Sequence, residues 1–279
     1  MTIGEWLRHA KAELEAADCP DPAVDSLWIA EDTLQLNRAA LRFSEGNVLE
    51  NSQLEALNLC LQRRVDGEPV QYILRRADFM GLNFYVDKRV LIPRQDTETL
   101  VENAIVDLQR RNDPQVLDLC TGSGAIGLSI KTLAPHAKVT LADISSDALD
   151  VARHNARALD ADVSFKHGDL FKAVGKQKFD LIASNPPYLP AEDMANLQKE
   201  VQFEPALALD GGEDGLDFYR RIAENAPDHL NPGGTLLLEV GMGEAQDVLR
   251  LVQKHIDCAE SGIIQDLNGI ERIVWARSK

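Results

Sequence analysis

The 279-residue sequence predicts an α/β fold in which a mostly parallel sheet, closed by an antiparallel edge hairpin, follows a small all-α helical bundle. Three observations predict it. Apolar residues recur at helical spacing over the first 73 residues, strand and helix patterns alternate from about residue 97, and Asn268-Gly269 separates two strand-like runs near the end.

Composition narrows the classes of protein to consider. The chain has 29 Lys and Arg against 45 Asp and Glu, a net charge of −16, and 44% of its residues are apolar, enough for roughly two ordinary domain cores. Proteins that hold nucleic acid mainly through phosphates need clustered Lys and Arg, so the charge disfavours that class. No run approaches the roughly 18 to 20 apolar residues of a membrane span. We therefore expect a cytoplasmic protein without membrane association.

Cysteine usage agrees with this compartment. The four cysteines lie far apart and form no CxxC pair, so neither a disulfide framework nor a zinc site is predicted. We expect free thiols that pack as small apolar side chains, and no metal.

Residues 1–73 are predicted to form the helical domain. Pro20, Pro22, the SEGN stretch at 44–47 and Gly67 divide the helical pattern into about four short helices. This segment carries 13 acidic and 6 basic residues, a net charge of −7. We interpret it as a small acidic bundle.

Residues 74–94 differ in character and predict a hairpin or an extended connector. Short apolar runs surround Gly81 and Asp87. Five basic residues stand against two acidic ones, a net charge of +3. The positive sign indicates either a solvated face or the rim of a site for an anionic partner.

Residues 95–279 are predicted to form the second, catalytic domain. Alternating strands and helices of this kind are typical of a parallel sheet covered on both faces. Helical patterns occupy 97–109 and 145–158, and the pair of runs at 262–265 and 272–276 predicts the antiparallel edge. The candidate parallel strands are Val116–Cys120, Lys138–Ala142, Val163–His167, Phe179–Ser184 and Gly234–Val240.

A glycine-rich turn follows the first of these strands. Gly122 and Gly124 permit a sharp turn and close approach of a ligand to the backbone, and Gly127 permits close packing of the next helix. Asp143 ends the next strand, 19 residues after Gly124, where a carboxylate can accept hydrogen bonds from ribose hydroxyls. This Rossmann-like arrangement suits either NAD or S-adenosyl-L-methionine, and a turn without a ligand is the structural alternative.

Asp118, just before the glycines, favours one of these cofactors. A carboxylate there would repel a pyrophosphate seated on the loop, whereas it can neighbour the amino group and sulfonium of a cationic cofactor. The sequence therefore favours S-adenosyl-L-methionine over NAD.

The predicted strand 179–184 is followed directly by Asn185-Pro186-Pro187-Tyr188, at the edge where open α/β sheets bind ligands. The prolines lack N–H donors, so the Pro186 carbonyl and the Asn185 side-chain oxygen are left to accept hydrogen bonds from a substrate NH2 group. Tyr188 is predicted to pack its ring on the planar group. A rigid loop without a catalytic role is the alternative.

Two acceptors suffice chemically for methyl transfer to an amide. They orient the nitrogen toward the methyl group and stabilise the positive charge that develops on it, so no strong base has to act first. The sequence shows no evident Ser-His-Asp, Cys-His or metal constellation. His167 lies at a strand end near Asp169, where we expect a structural role rather than a general base.

With these motifs in place, the chain resembles the HemK/PrmC family, methyltransferases that modify the glutamine of the GGQ motif in class I peptide-chain release factors. The glycine loop with NPPY alone indicates only amino-group methyltransferases acting on adenine, cytosine or glutamine. The resemblance extends over nearly the whole chain through GEPVQYI (67–73), LIPRQDTETLVE (91–102), DLCTGSGAIGLS (118–129), HGDLF (167–171), SNPPYLP (184–190), FEPALALDGGEDGLDFYRRI (203–222) and DLNGIERIVWAR (266–277).

The resemblance implies a role for each motif residue. Asp143 would bind the ribose of S-adenosyl-L-methionine, Asp169 and Leu170 would border the adenine, and residues 185–188 would receive the glutamine amide. Many relatives have proline at Gln95 and an aromatic residue at Leu170, so adenine stacking is expected to be weaker. Arg94 and Glu98 either shape the entrance or begin a helix. The methionine part would be wrapped by Cys120, Thr121, Gly122, Ser123 and Gly124.

The resemblance also implies the partner. The helical domain and connector would bind the release factor, whose basic regions the acidic bundle would complement. Two related activities remain open: methylation of a ribosomal-protein glutamine, and N6-adenine methylation of nucleic acid, which the net charge of −16 disfavours. A protein that binds S-adenosyl-L-methionine without turnover is the third class. We expect a monomer that forms no stable complex with nucleic acid and releases S-adenosyl-L-homocysteine.

Overall fold

The computed structural model describes residues 1–266 and 268–279, which form two compact units. The first unit comprises Met1–Arg76 together with Gln198–Phe203. The second comprises Ala77–Leu197 and Glu204–Lys279. The short segment 198–203 therefore belongs to the first unit although it lies far along the chain.

Five helical segments build residues 1–74 of the first unit, one more than the sequence pattern predicts. Two of them have only six and five residues, too short for an apolar period to mark. Trp6, Leu14, Ile29 and Leu57 are fully buried at the centre of the helices. The helices are α1 (Ile3–Ala16), α2 (Pro22–Leu34), α3 (Arg38–Phe43), α4 (Asn51–Val65) and α5 (Val70–Leu74).

The first unit also buries a charge cluster. The Arg64 guanidinium, whose side chain is only 3% exposed, donates to Asp25 at 2.6 Å and to Glu200. Lys199 Nζ donates to the carbonyl of Val65 at 3.0 Å. Because a buried guanidinium needs charged or carbonyl acceptors, these contacts hold segment 198–203 against α4.

The second unit begins with a two-stranded hairpin, as one of the two sequence-based alternatives for residues 74–94 predicts. Strands β1 (Ala77–Phe79) and β2 (Leu82–Phe84) pair antiparallel, with Ala77 opposite Phe84. The turn between them places Met80 and Gly81 at φ of 52° and 71°, a left-handed conformation that glycine adopts without strain.

The main sheet has the predicted topology. In the described residues its strand order is β5-β4-β3-β6-β7-β9-β8, with β3 to β7 parallel and the last two strands antiparallel. The strands are β3 (Gln115–Leu119), β4 (Lys138–Asp143), β5 (Ser164–His167), β6 (Phe179–Ser184), β7 (Leu230–Glu239), β8 (Cys258–Gln265) and β9 (Glu271–Ser278).

Helices cover both faces of this sheet, and each face has its own apolar core. Chain order reverses between β3 and β6, the position where open α/β sheets leave a crevice at the carboxyl ends of their strands. None of the helices in the described residues is long and apolar enough to cross a membrane. The helices are α6 (Glu98–Leu108), α7 (Ala125–Leu133), α8 (Ser146–Ala158), α9 (Ala191–Met194), α10 (Asp217–His229) and α11 (Ala245–His255).

Candidate active site

A cavity opens in the second unit at the carboxyl ends of β3, β4 and β6. The glycine loop, the end of β4 and the loop after β6 line one part of it, and residues from segments 89–97 and 205–208 line another. Nine of the residues predicted for the site therefore lie around one cavity. Predicted residues that line it are Cys120, Thr121, Gly122, Ser123, Asp143, Asp169, Leu170, Asn185 and Pro187.

The glycine loop turns sharply because three of its residues have positive φ. Cys120, Gly122 and Gly124 have φ of 62°, 53° and 85°. A Cβ on Gly122 would meet no atom within 4 Å and would project into open space, whereas one on Gly124 would come within 2.8 Å of Leu128. Gly122 thus leaves room for a ligand against its backbone, and Gly124 serves the packing of α7 beneath the loop.

Asp118 corrects one expectation. It is fully buried and is not among the residues that line the cavity, so its carboxylate does not face the space where a ligand would bind. It lies under the loop instead, where Oδ2 accepts from the Thr121 hydroxyl at 2.5 Å and from Gly127 N–H at 2.8 Å. Burial raises the pKa of Asp118 to about 7. Its role in this structure is to hold the loop to the start of α7.

Asp143 ends β4 with its side chain in the cavity wall. Its Oδ2 accepts from Gly122 N–H at 2.9 Å, and its Oδ1 accepts from Ser145 N–H at 2.8 Å. Burial raises its pKa, and these backbone donors oppose that shift. The ionised carboxylate, with about four lone-pair sites, still has capacity to accept a further hydrogen bond, which suits a ribose hydroxyl.

Asp169 and Leu170 lie in the cavity wall beyond β5. The Arg221 guanidinium donates to Asp169 at 2.5 Å and holds the pKa of that carboxyl below its usual range. Phe218, in the first turn of α10, also lines the cavity, and Arg221 lies over its ring at 5.6 Å. Phe218 is not predicted from the sequence, and it places an aromatic ring in the cavity although position 170 carries leucine.

Asn185 is oriented by two side chains that are likewise not predicted from the sequence. Its Nδ2 donates to Glu239 Oε1 at 2.8 Å and to Thr97 Oγ1 at 3.4 Å. Glu239 ends β7, and Thr97 lies just before α6. Because both nearby acceptors take the amide nitrogen, the side-chain oxygen of Asn185 is the atom left for a ligand in the cavity it lines.

Glu239 is a buried carboxylate, 3% exposed. Burial raises its pKa to about 7, opposed by hydrogen bonds from Thr97 and Asn185 and by the charge of Arg272. Among residues 1–266 and 268–279, no hydrogen-bond donor contacts its second oxygen, Oε2. Its other oxygen, Oε1, is the atom that accepts from Asn185.

The remaining NPPY residues occupy different places. Pro187 lines the cavity, whereas Pro186 and Tyr188 do not. Tyr188 packs beside Gly211 and Gly241, and burial raises the pKa of its hydroxyl to about 12. Contact of the Tyr188 ring with a substrate stays a prediction, as do the roles of Pro186 and of Gly124, which also lies outside the cavity lining.

Arg94 and Glu98 separate into two roles. Arg94 lines the cavity and pairs with the buried Glu204, whose Oε2 also accepts from Ile92 N–H at 3.1 Å. Glu204 therefore ties segment 205–208 to segment 89–94, and both line the cavity. Glu98 accepts from Met80 N–H at 2.6 Å, which is a structural role at the start of α6.

His167 has the structural environment that its sequence position suggests. Its Nε2 lies 2.8 Å from the carbonyl of Ile144, and it is absent from the residues lining the cavity. One ring nitrogen is thereby engaged with backbone, which is typical of a histidine that fixes a loop.

The sheet order, the glycine loop and the polar residues after β4 and β6 define a methyltransferase domain of the Rossmann-like class. Residues 95–255 match the family model of the methyltransferase small domain, and residues 5–74 match that of the PrmC N-terminal domain.

The chain belongs to the family of release factor glutamine methyltransferases. The protein of that name from Geobacter sulfurreducens is 41% identical over 99% of this chain and 96% of its own length. The one from Bordetella pertussis is 42% identical over 92% of this chain and 95% of its own. These matches run through both the helical and the sheet regions.

Solved structures show the same fold at lower identity. A methyltransferase from Pyrococcus furiosus is 21% identical over 71% of this chain and 89% of its own, with a TM-score of 0.53. A 16S rRNA N2 G1207 methyltransferase from T. thermophilus, solved with AdoMet and guanosine, is 18% identical over 73% of this chain and 50% of its own, with a TM-score of 0.52.

Proposed function

We propose that this chain transfers a methyl group from S-adenosyl-L-methionine to the side-chain nitrogen N5 of the glutamine in the GGQ motif of class I release factors. The observation that carries the proposal is the placement of Asn185, with its nitrogen anchored, in the same cavity as the glycine loop and Asp143. Relatives named release factor glutamine methyltransferase, at about 40% identity, support the choice of substrate.

The cavity residues fit S-adenosyl-L-methionine. Gly122 keeps the space beside its backbone open, and the Asp143 carboxylate only accepts hydrogen bonds, as ribose hydroxyls require. Leu170 and Phe218 supply apolar surface for an adenine ring. When bound, the cofactor supplies an activated methyl group on a sulfonium and leaves as S-adenosyl-L-homocysteine.

At the acceptor side, this chain positions the glutamine amide nitrogen and does not deprotonate it before methyl transfer. The Asn185 oxygen and the Pro186 carbonyl accept the two N–H groups of the glutamine amide and point its nitrogen into the cavity. An amide nitrogen becomes more positive as it is alkylated, so two fixed acceptors stabilise the transition state more than the ground state. The proton leaves after attack, and no catalytic base is needed.

We assign recognition of the release factor to the N-terminal region. Residues 1–73 would recognise the protein partner, and residues 95–279 would catalyse the methyl transfer. Residues 74–94 would connect these two domains. The net charge of −7 in the first segment favours partners with basic surfaces. Residues 5–74 match the PrmC N-terminal domain, which supports this division of labour.

The test is an incubation of the chain with labelled S-adenosyl-L-methionine and four acceptors in parallel: a class I release factor, the same factor with GGQ changed to GGA, ribosomal proteins, and duplex DNA. We expect label on the intact release factor alone, located at the GGQ glutamine by mass spectrometry. Equal label on the GGA form, or label mainly on ribosomal protein or DNA, would reject the proposal.

A further inference from the structure

The hydrogen bond between Asn185 and Glu239 determines which of two orientations the Asn185 carboxamide adopts. The carboxamide is nearly symmetric in shape, so a half-turn about its last bond exchanges the oxygen, an acceptor, with the NH2 group, a donor. In the proposed reaction only the oxygen serves, because the substrate presents N–H groups. The site therefore needs an interaction that holds the Asn185 carboxamide in one of its two orientations.

Glu239 supplies that interaction. An ionised carboxylate accepts hydrogen bonds and donates none, so it takes the Nδ2 side of Asn185 and repels the Oδ1 side. The contact is 2.8 Å long, and the carboxylate is almost wholly withdrawn from water, which strengthens the preference.

The pairing of strands in the main sheet brings Glu239 and Asn185 into contact. Strands β6 and β7 are parallel neighbours with Ser184 beside Leu238, so the next residues, Asn185 and Glu239, emerge together at the carboxyl edge. The Tyr219 hydroxyl donates to the carbonyl of Glu239 at 2.9 Å and steadies the end of β7. The position of Glu239 is thus set by backbone pairing rather than by a flexible loop.

We infer that Glu239 is a positioning residue for methyl transfer: its ionised side chain locks the Asn185 amide with the oxygen toward the substrate. The inference rests on the proposed function for its effect on turnover, and on the structure alone for its effect on the amide. Glu239 acts through Asn185 and does not itself line the cavity.

Protonation of Glu239 would remove the lock, because a carboxylic acid can donate a hydrogen bond to Oδ1. Burial raises the pKa of Glu239 to about 7, so turnover at saturating substrates should fall as the pH drops through this region. The ionisable groups that act on Glu239 come from the turn before α6, the loop after β6, α10 and β9; they are Asp96, Tyr188, Tyr219 and Arg272.

The experiment compares Glu239→Gln and Glu239→Leu with the matched control Glu244→Gln. Burial also raises the pKa of Glu244 to about 7, but Glu244 accepts from Gly241 N–H and does not contact Asn185. For Glu239→Leu we expect kcat at pH 8.5 to fall at least tenfold, with the Kd for S-adenosyl-L-homocysteine changed less than threefold. Glu239→Gln, which like the protonated acid can donate to Oδ1, should also lose kcat at pH 8.5, and its pH profile should lack the acid limb of the wild type.

A readout without turnover follows the amide directly. The side-chain NH2 signals of Asn185, identified by their loss in Asn185→Ala, should shift with pH near 7 in the wild-type protein and in Glu244→Gln, but not in Glu239→Gln. If Glu239→Leu does not fold, the pH profile and these signals for Glu239→Gln decide the question.

The outcomes separate this inference from the proposed function. If the wild-type chain leaves the GGQ glutamine unmodified, the proposed function fails, and the NH2 signals still test the Glu239 to Asn185 contact. If the wild-type chain is active but Glu239→Gln keeps its acid limb, or its Asn185 signals still titrate, the positioning role is wrong.

Discussion

The carboxylate of Asp118 accepts a hydrogen bond from the backbone N–H of Gly127 at 2.8 Å, so the end of β3 and the first turn of α7 are joined beneath the glycine loop. A Cβ on Gly127 would lie 2.9 Å from the same oxygen, and only glycine allows this approach. The contact explains why the loop needs both an acid before it and a glycine after it, whatever ligand binds above.

The pH dependence of folding should report on Asp118. Burial raises its folded-state pKa to about 7, above the roughly 3.9 of an unfolded chain, so between these values the folded chain holds a proton that the unfolded chain releases. The free energy of unfolding therefore falls as the pH rises from about 4 to 7, by at most about 4 kcal/mol from this group.

We test this with Asp118→Asn, which does not titrate. Urea unfolding between pH 4.5 and 8 should show a smaller decline for the variant than for the wild type. Glu239 and Glu244 have shifts of the same sign in both proteins, so the difference isolates Asp118. Parallel curves would contradict the assignment.

Gly122→Ala should weaken cofactor binding more than it destabilises the fold. Its Cβ would enter open space in the cavity, at a φ of 53° that costs an L-residue about 1–2 kcal/mol. Gly233→Ala is the matched control, with φ of 72°, open space around the Cβ and a position outside the cavity lining. By calorimetry, only Gly122→Ala should lose affinity for S-adenosyl-L-homocysteine, at least fivefold, while both lose similar stability.

Asn185→Ala removes an acceptor that we assign to the transition state. We expect kcat to fall at least 100-fold, about 2.7 kcal/mol or more, while the Kd for S-adenosyl-L-homocysteine changes less than threefold. The exposed Asn196, whose side chain donates to the Glu192 carbonyl at 3.2 Å, provides the control variant Asn196→Ala with unchanged kinetics. An equal loss of cofactor affinity would argue against the assigned role.

Arg64→Ala should strongly destabilise the folded chain. It leaves the Asp25 carboxylate, 6% exposed, buried without its partner, for which we expect a cost of about 3–5 kcal/mol in urea unfolding. Arg38→Ala breaks the pair with Glu31, where the arginine is 60% exposed, and should cost less than about 1 kcal/mol. If the two variants unfold alike, the buried pair does not stabilise this unit.

The affinity for a release factor should depend on the acidic surface of the helical region. Reversing exposed acids there should raise the Kd and flatten its dependence on salt, because the electrostatic attraction is lost. Binding is measured by fluorescence anisotropy at several ionic strengths. The three reversals are Glu13→Lys, Glu15→Lys and Glu55→Lys.

A control changes the charge by the same amount on the sheet unit, through Glu102→Lys, Glu224→Lys and Asp228→Lys, all at exposed positions. It should leave the Kd and its salt dependence nearly unchanged. Equal effects of the two triple variants would mean that net charge, not the surface of the helical region, governs binding.

Much of the fold was predictable because its signals are local. The strand predicted at Phe179–Ser184 has those bounds in the structure, and the helix predicted at 145–158 begins one residue later. The short helices α3 and α5 and the early start of β7 at Leu230 were not predictable, because their limits depend on packing and on pairing of Leu230 with Phe179 rather than on a periodic pattern.

The candidate site divides in the same way. By itself, the sequence determined the glycine loop, Asp143 and Asn185, because each stands at the end of a strand or just after it, and parallel strands bring their carboxyl ends to one edge. Only the tertiary structure decided which groups surround them. Glu239 reaches Asn185 across 54 positions through pairing of β6 and β7, and Asp118 lies beneath the loop instead of in the cavity wall. A side chain's partners depend on which strands are neighbours and which face is buried, and one-dimensional spacing does not contain that information.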